Sequence, residues 1–441
     1  MKKQKVFGML VVGILFLFLI GCSETESSND ANSQTGEREN ADSSNESSET
    51  VTLNFFDWFD EENYMEDVIA KFEEANPDIK INATFVPTNE YEQKLLVNMS
   101  SGEGLDVFAV ANVGGMSNYQ SKGQLLDISD LIDRNELENL SPLIEQLEIE
   151  DGLYSLPYRS GAWALYYNKD IFDEAGVDYP DETWTWETYE EKAKELTMKG
   201  ENGQIWGSLN YQPSSTWWRV PANTAGINNP NNPEDLAGFK EAAKLNYELS
   251  YEDKAQEPYS DLVGEAGKDY TGRFLQGNHA MLFNGEWLVE MLNSAMEDGS
   301  GEINYDVAPL PYTEGMEPRS AGAMAVAMVS KNTEHPEEAV RFLSYLASEE
   351  AGEIMAGHGV LPAWQSDITT EAFVERLDQP ENAGVFFERP INSQVPVDDP
   401  LYTEGMKIME EEVSLYLLQE KELDETFNTI QERIDSEVLN K

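Results

Sequence analysis

At 441 residues the chain is long enough for two or three domains, and 40% hydrophobic with 10% aromatic residues excludes wholesale disorder. Lys and Arg number 29 against 84 Asp and Glu, a formal charge of −55, so the surface repels phosphate backbones and nucleic acid is excluded as a partner. A single cysteine and three histidines at no ligand spacing exclude an intramolecular disulfide, a cysteine–zinc cluster and a His-rich metal site; no cofactor or metal is expected.

The chain opens with Lys2, Lys3 and Lys5, followed by an apolar run from Val6 to Ile20. About 20 apolar residues are needed to span a bilayer, so the run fits a signal-peptide core better than an anchor helix. It ends Leu19-Ile20-Gly21-Cys22, which resembles the bacterial lipobox. The resemblance implies cleavage after residue 21 and a lipid on the Cys22 thiol, which gives the only cysteine a use. Residues 22–50 are rich in Ser, Glu, Asn, Asp, Thr and Gly, without aromatics or large aliphatics beyond the start. Such a segment cannot bury surface and is expected to be a disordered acidic tether, reaching roughly 30 Å as a flexible coil. The remaining acidity is spread along the chain and reads as a solubility adaptation to a salty or alkaline exterior, with a cation-binding patch as the alternative.

The folded part starts with a strand over 51–57, then a helix over 61–75 with Met65, Val68, Ile69 and Phe72 on one face, stopped by Asn76-Pro77-Asp78. A strand over 79–86, a helix over 89–100 and a strand over 105–110 follow. Strand–helix–strand–helix–strand implies a parallel sheet, whose ligands bind beyond the carboxyl ends of the strands, here the loops starting at Asp57 and Ala111. Further on, the pattern predicts strands at 164–168, 303–308 and 322–329. It predicts helices at 186–197, 271–275, 287–296, a broken stretch over 336–357, and 423–439.

Six blocks now carry a resemblance. They are Lys71-Phe-Glu-Glu-Ala-Asn-Pro-Asp-Ile-Lys-Ile; Ser101-Gly-Glu-Gly-Leu-Asp-Val-Phe; Gly123-Gln-Leu-Leu-Asp-Ile; and Tyr154 to Phe172, with Leu165-Tyr-Tyr-Asn-Lys-Asp-Ile-Phe at its end. Gly277-Asn-His-Ala-Met-Leu-Phe-Asn-Gly-Glu-Trp precedes Ala308-Pro-Leu-Pro, and Ser320 to Val329 precedes His335-Pro-Glu-Glu-Ala-Val-Arg-Phe-Leu. In this order, behind a lipobox and a tether, they resemble the family 1 extracellular solute-binding proteins of ABC importers, the group that includes maltose-binding protein. The resemblance implies an α/β, two-lobe, periplasmic-binding-protein-like (type II) fold with a hinge and a ligand cleft between the lobes. It implies an N-terminal lobe of 51–162 and 312–348 and a C-terminal lobe of 163–311 and 349–441. It also implies a monomer, lipid-anchored at the outer face of the membrane, that closes on solute and presents it to an ABC permease, or to a sensor.

Neutral sugars suit aromatic platforms and planar hydrogen-bonding groups. Trp58 and Asp60 follow the first strand, and Asn112 the third, where the family places its cleft. Arg159 and Trp163 flank the first crossover. Trp217-Trp218-Arg219 is read as one core tryptophan, one platform and a donor fork. Trp287, in Asn284-Gly-Glu-Trp, matches the family's most dependable stacking aromatic, with Glu286 beside it read as structural. Arg319 and Trp364 come from the second crossing, and Trp184, Trp186 and Trp206 are assigned to packing. The chain departs from the maltose-binding pattern at Val110, where a tryptophan is expected, and at Gly161, where a cleft carboxylate is expected. Two alternatives stand beside a carbohydrate receptor. One is a receptor for a cationic solute, such as a polyamine or betaine, in an aromatic cage. The other is a secreted glycosidase, which needs two carboxylates across a sugar. No HExxH, GxSxG, GxGxxG or P-loop is present; Gly264 to Asp269 lacks the first glycine and the Ser/Thr of the latter.

Overall fold

The computed structural model describes residues 50–58, 62–101, 104–110, 113–200, 203–209, 217–262 and 269–440. The leader, Cys22, nearly all of the tether, Asp60 and Asn112 lie outside the described residues.

The first strands form as the alternation requires. β1 (Val51–Trp58) pairs in parallel with β2 (Ile79–Val86) and β3 (Val107–Val110), and the helices Glu62–Ala75 and Thr88–Ser101 make the crossovers. β3 starts two residues later than its apolar run because Asp106 turns inward. Its carboxylate accepts hydrogen bonds from the Asn54 amide at 2.8 Å and the Thr333 hydroxyl at 2.6 Å.

β4 (Ser155–Asn168) is far longer than the predicted 164–168. Pro157 and Gly161 read as breakers in the sequence. In the structure the ladder shifts register between Pro157 and Arg159, a bulge that accommodates the proline. The second half of the chain adds β5 (Met198–Gly200), β6 (Gly203–Ser208), β7 (His279–Gly285) and β8 (Tyr305–Pro309). It continues with β9 (Ser320–Val329) and β10 (Ile391–Ser393). The strand order is β2-β1-β3-β9-β4-β7-β6-β5, with β8 on β4 and β10 on β9. β4 joins the two halves. Its first part lies antiparallel to β9, and its second part antiparallel to β7 and β8.

Two lobes follow from this one strand. The first core lies around β1, β3 and β9, where Phe342 meets Phe55 edge-on at 5.3 Å and Phe72 at 5.0 Å. The second lobe covers its sheet on both faces, with Trp186, Tyr189 and Phe283 in one core and Tyr166, Leu288 and Phe386 in another. The borders differ from the expected 312 and 348/349. Ala321, beyond the expected border at 312, belongs to a second-lobe core, and first-core residues resume only at Met324, part-way along β9. Ala351, Met355 and Ala363 also join the first core. The reason is that β9 runs unbroken through both lobes, so no loop marks the change.

One buried group makes stability depend on pH. His279 opens β7, 1% exposed, with Nε2 3.2 Å from a Glu257 carboxylate oxygen that also pairs with Arg273. Burial, then the Arg273 charge, hold the imidazole down at about 4 despite that carboxylate. The unfolded chain takes up a proton near 6.5, so the neutral ring's contribution is complete above 6.5 and is lost as pH falls to 4. Relative to His279→Gln, the wild type is expected to lose up to about 3 kcal/mol of unfolding free energy between pH 7 and pH 4. Urea titrations at both pH values measure the difference; an equal change in wild type and variant would mean that the imidazole titrates alike in the folded and unfolded chain.

Candidate functional site

The site grows from the point where β4 leaves one lobe for the other. Gly161 and Ala162 pair with Ala323 and Gly322 of β9, and the next residue, Trp163, pairs with Gly285 at the end of β7. The backbones of β4 and β9 approach so closely here that only glycine fits at 322. A Cβ there would lie 1.9 Å from the Gly161 carbonyl oxygen.

Beyond Gly285 the chain turns into the helix Trp287–Glu297, with Glu286 as its N-cap residue. The Glu286 amide donates to the Ala162 carbonyl at 3.1 Å, which fixes this turn against β4. The Trp287 ring folds back over Gly285, where a Cβ would lie 2.0 Å from the ring. It meets Trp163 edge-on, centroids 5.8 Å apart at 86°. Trp163 is buried, whereas Trp287 is half-buried. The Glu286 side chain is 2% exposed and lies 3.8 Å from Arg159 Nη2, whose side chain is 26% exposed. One half-buried aromatic, Trp287, with the core tryptophan Trp163 packed edge-on to it, and a guanidinium beside a carboxylate therefore converge on one stretch of crossover. A C–H face can stack on Trp287, and hydroxyls can take the guanidinium donors.

The segment after the helix Glu349–Gly357 closes the other side. Ser160, which pairs with Met324 of β9 in the ladder, donates its amide to Leu361 O at 3.0 Å and its hydroxyl to Pro362 O at 2.8 Å. Arg159 bridges Pro362, and the Ala363 amide donates to Tyr158 O at 3.0 Å. Trp364, half-buried against the first core, is thereby set next to the crossover.

Of the residues singled out in the sequence, Arg159, Trp163 and Trp287 are brought together, with Trp364 on the adjoining segment. Trp58 is packed into the first core, 7% exposed and edge-on to Tyr91 at 5.6 Å. The Trp217-Trp218-Arg219 reading needs correction. Both tryptophans are core: Trp217 is 1% exposed and stacked on Tyr259, and Trp218 packs against Phe239. Neither can offer a face to a solute in this structure. Arg219 is buried too, its guanidinium donating to the Tyr402 hydroxyl at 2.6 Å and directed toward the Gln394 carbonyl at 3.4 Å. It joins the helix Tyr402–Leu417 to the segment after β10, a structural task. Arg319 pairs with exposed Glu317 at 2.9 Å. Glu286, read as structural, stands at the centre of the cluster. Its signal was an acid beside the stacking tryptophan in a chain that has glycine at 161. Trp184 and Trp186 are core, as expected.

Among the described residues no cluster of three or more His, Cys, Asp or Glu is placed to hold a metal ion. No described helix is long and apolar enough to cross a membrane.

Comparison with known proteins agrees with this architecture. The arabinooligosaccharide-binding protein of Bacillus subtilis is 25% identical over 359 residues, 80% of this chain and 78% of that protein. The sn-glycerol-3-phosphate-binding periplasmic protein of Rhizobium meliloti is 24% identical over 305 residues, 65% of this chain and 68% of that protein. Among solved structures, a sugar transporter from Rhizobium etli in an open conformation superposes with a TM-score of 0.80 at 23% identity. The match covers 88% of this chain and 99% of that one. The two-lobe α/β fold is therefore that of substrate-binding proteins. Residues 59–353 match the family of bacterial extracellular solute-binding proteins, and the chain belongs to that family.

Proposed function

We propose that the protein is the extracytoplasmic receptor of an ABC importer that captures a neutral oligosaccharide between its lobes and delivers it to a membrane permease. The observation that carries the carbohydrate reading is the cluster at the crossover: Trp287 half-exposed, Trp163 edge-on to it, and the Arg159 fork beside them. Relatives named for arabinooligosaccharides support the same class of solute. Trp364, Asp60 and Asn112 complete the proposed site. Closure by rotation of the lobes about the β4–β9 crossover would bury the sugar, and the permease would read the closed state. Cys22, lipidated after removal of residues 1–21, would tether the receptor through residues 22–50, as a monomer. A binding protein has no need of a catalytic carboxylate pair, and no catalytic role is assigned.

A thermal-shift screen of the mature chain with Cys22→Ser tests this reading. The panel spans neutral oligosaccharides, polyamines and betaines. A ligand at 100 times its Kd should add about 2.7 kcal/mol to the unfolding free energy. Stabilisation by a neutral sugar class is expected; stabilisation by cationic solutes alone would replace the sugar with a cation.

A further inference from the structure

The second lobe carries a groove apart from the crossover, lined by none of Arg159, Trp163, Trp287 and Trp364. Three pieces of chain wall it: the start of the helix Trp186–Leu196, the helix Leu236–Tyr247, and the loop 312–316 between β8 and β9. The short helix Val220–Thr224 closes the bottom. These walls are pinned to one another. The Trp186 amide donates to the Tyr312 carbonyl at 3.2 Å, and its indole N–H to the Thr224 hydroxyl at 3.0 Å. Ile227 packs so tightly on the second helix that a Cβ at Gly238 would lie 2.2 Å from it. The groove is therefore pre-formed. Its volume, about 540 Å³, falls in the range of small-molecule sites, about 300–1,000 Å³.

Floor and rim differ in chemistry. Pro221, Ala222, Ile227, Ala242 and Leu245 give an apolar floor, and Met316, 46% exposed, stands at the mouth. Glu187, Glu190, Glu241, Glu248 and Glu314 border it, against one cation, Lys244. Lys194 takes Glu190 at 2.9 Å, and Lys244 lies 3.5 Å from Glu248. Glu187, Glu241 and Glu314 have no ion pair among the described residues. Burial, and then the Glu190 charge, lift the Glu248 carboxyl above its ordinary value against the pull of Lys244. The general acidity of the chain accounts for the sign of the rim. It does not account for an enclosed apolar floor beneath it.

We propose that this groove is a second ligand site, which takes a small organic cation with an apolar body, such as an aromatic or branched alkyl ammonium. The body would displace water from the floor, and the ammonium would stay at the mouth among carboxylates that outnumber the local cation. An inorganic cation lacks the first contribution, and a neutral body lacks the second. A helix about 10 Å across would not enter a cavity of this volume, which favours a small molecule over a protein segment. The site does not depend on which solute the crossover holds.

The test is an NMR titration of the mature chain, Cys22→Ser, with benzyltrimethylammonium. Tetramethylammonium supplies the charge without the body, and benzyl alcohol the body without the charge. Benzyltrimethylammonium is expected to bind one site per chain with a Kd of about 1 mM or tighter, at least about 10-fold tighter than either control. Glu241→Gln with Glu248→Gln should weaken it about 5-fold, because exposed carboxylates each contribute little. Ala237→Trp fills the groove from an exposed helix position and should abolish binding, whereas Trp287→Ala should leave it unchanged. Unfolding curves of the variants establish that they fold, and the carboxamide pair decides the claim if Ala237→Trp does not. Equal binding of benzyltrimethylammonium and tetramethylammonium, or binding indifferent to both groove variants, would reduce the effect to attraction by an acidic surface and overturn the proposal. Binding lost in Trp287→Ala and kept in Ala237→Trp would move the cation to the crossover, against this proposal and the sugar reading together. A basic Lys–Leu helical peptide that binds where benzyltrimethylammonium does not, and that Ala237→Trp excludes, would make the groove a protein-docking surface and sink the small-cation claim.

Discussion

Trp287→Ala is expected to raise the Kd for the captured sugar at least 30-fold, and to do so without unfolding the protein. The ring lies at the start of its helix, one face covered by Gly285 and its edge met by Trp163, and it is only half-buried. A platform of this kind contributes through contact area and through the C–H contacts of the sugar. Central aromatic anchors of an interface lose about 2 kcal/mol or more on truncation, which corresponds to roughly 30-fold. Stability should suffer less than for a fully buried tryptophan, where about 3–5 kcal/mol is lost. Calorimetry on the variant, with an unfolding curve in the absence of sugar, separates the two. Trp287→Phe should recover part of the affinity. An unchanged Kd for the alanine variant would remove Trp287 from the site.

Gly322→Ala is expected to damage the fold more than any other single methyl group at the crossover. The added Cβ would meet the Gly161 carbonyl oxygen at 1.9 Å and the Ile391 side chain at 2.6 Å. The first of these is backbone and cannot swing aside, so β4 and β9 would have to part where the lobes join. Overpacking of this kind costs about 1–3 kcal/mol in a core that can adjust, and the upper end or beyond is expected here. Gly161→Ala is the informative control. Its nearest contact is 3.4 Å, to a Glu286 carboxylate oxygen, an ordinary van der Waals distance, so the fold should hold. Thermal unfolding of both variants is the measurement. Equal, small losses would mean that the strands are not as close as described.

Much of the fold could be read from periodicity. The first three strands and their helices emerge within two residues of the expected bounds because each buries one clear face. The break predicted within 336–357 is real: the helices Pro336–Leu346 and Glu349–Gly357 meet at Ser348, whose hydroxyl accepts the Ala351 amide at 3.3 Å. What periodicity could not show was the long β4. A strand that crosses between lobes is buried on both faces, so it does not alternate, and Pro157 and Gly161 interrupt it in a way that looks like a loop. The lobe borders were displaced for a related reason, since β9 changes lobe without changing structure.

The site was legible where a motif fixed it and opaque where only residue type was available. Trp287 was found through the residues around it. Trp217 and Trp218 were not separable from a sugar platform, because the same flat apolar ring serves a core and a cleft equally well; only their burial decides. Glu286 could be singled out only by its place beside Trp287, because with 84 acids in the chain residue type alone carries no signal; its distinction is spatial, the carboxylate lying against Gly161.

The central claim is that a neutral oligosaccharide binds at the β4–β9 crossover. The most direct test is a calorimetric titration of the mature protein, Cys22→Ser, with the neutral oligosaccharide series, wild type beside Trp287→Ala. Saturable binding at one site per chain, weakened at least 30-fold in the variant, is the predicted result. Heat from no neutral sugar, or binding that the variant leaves unchanged, would contradict it.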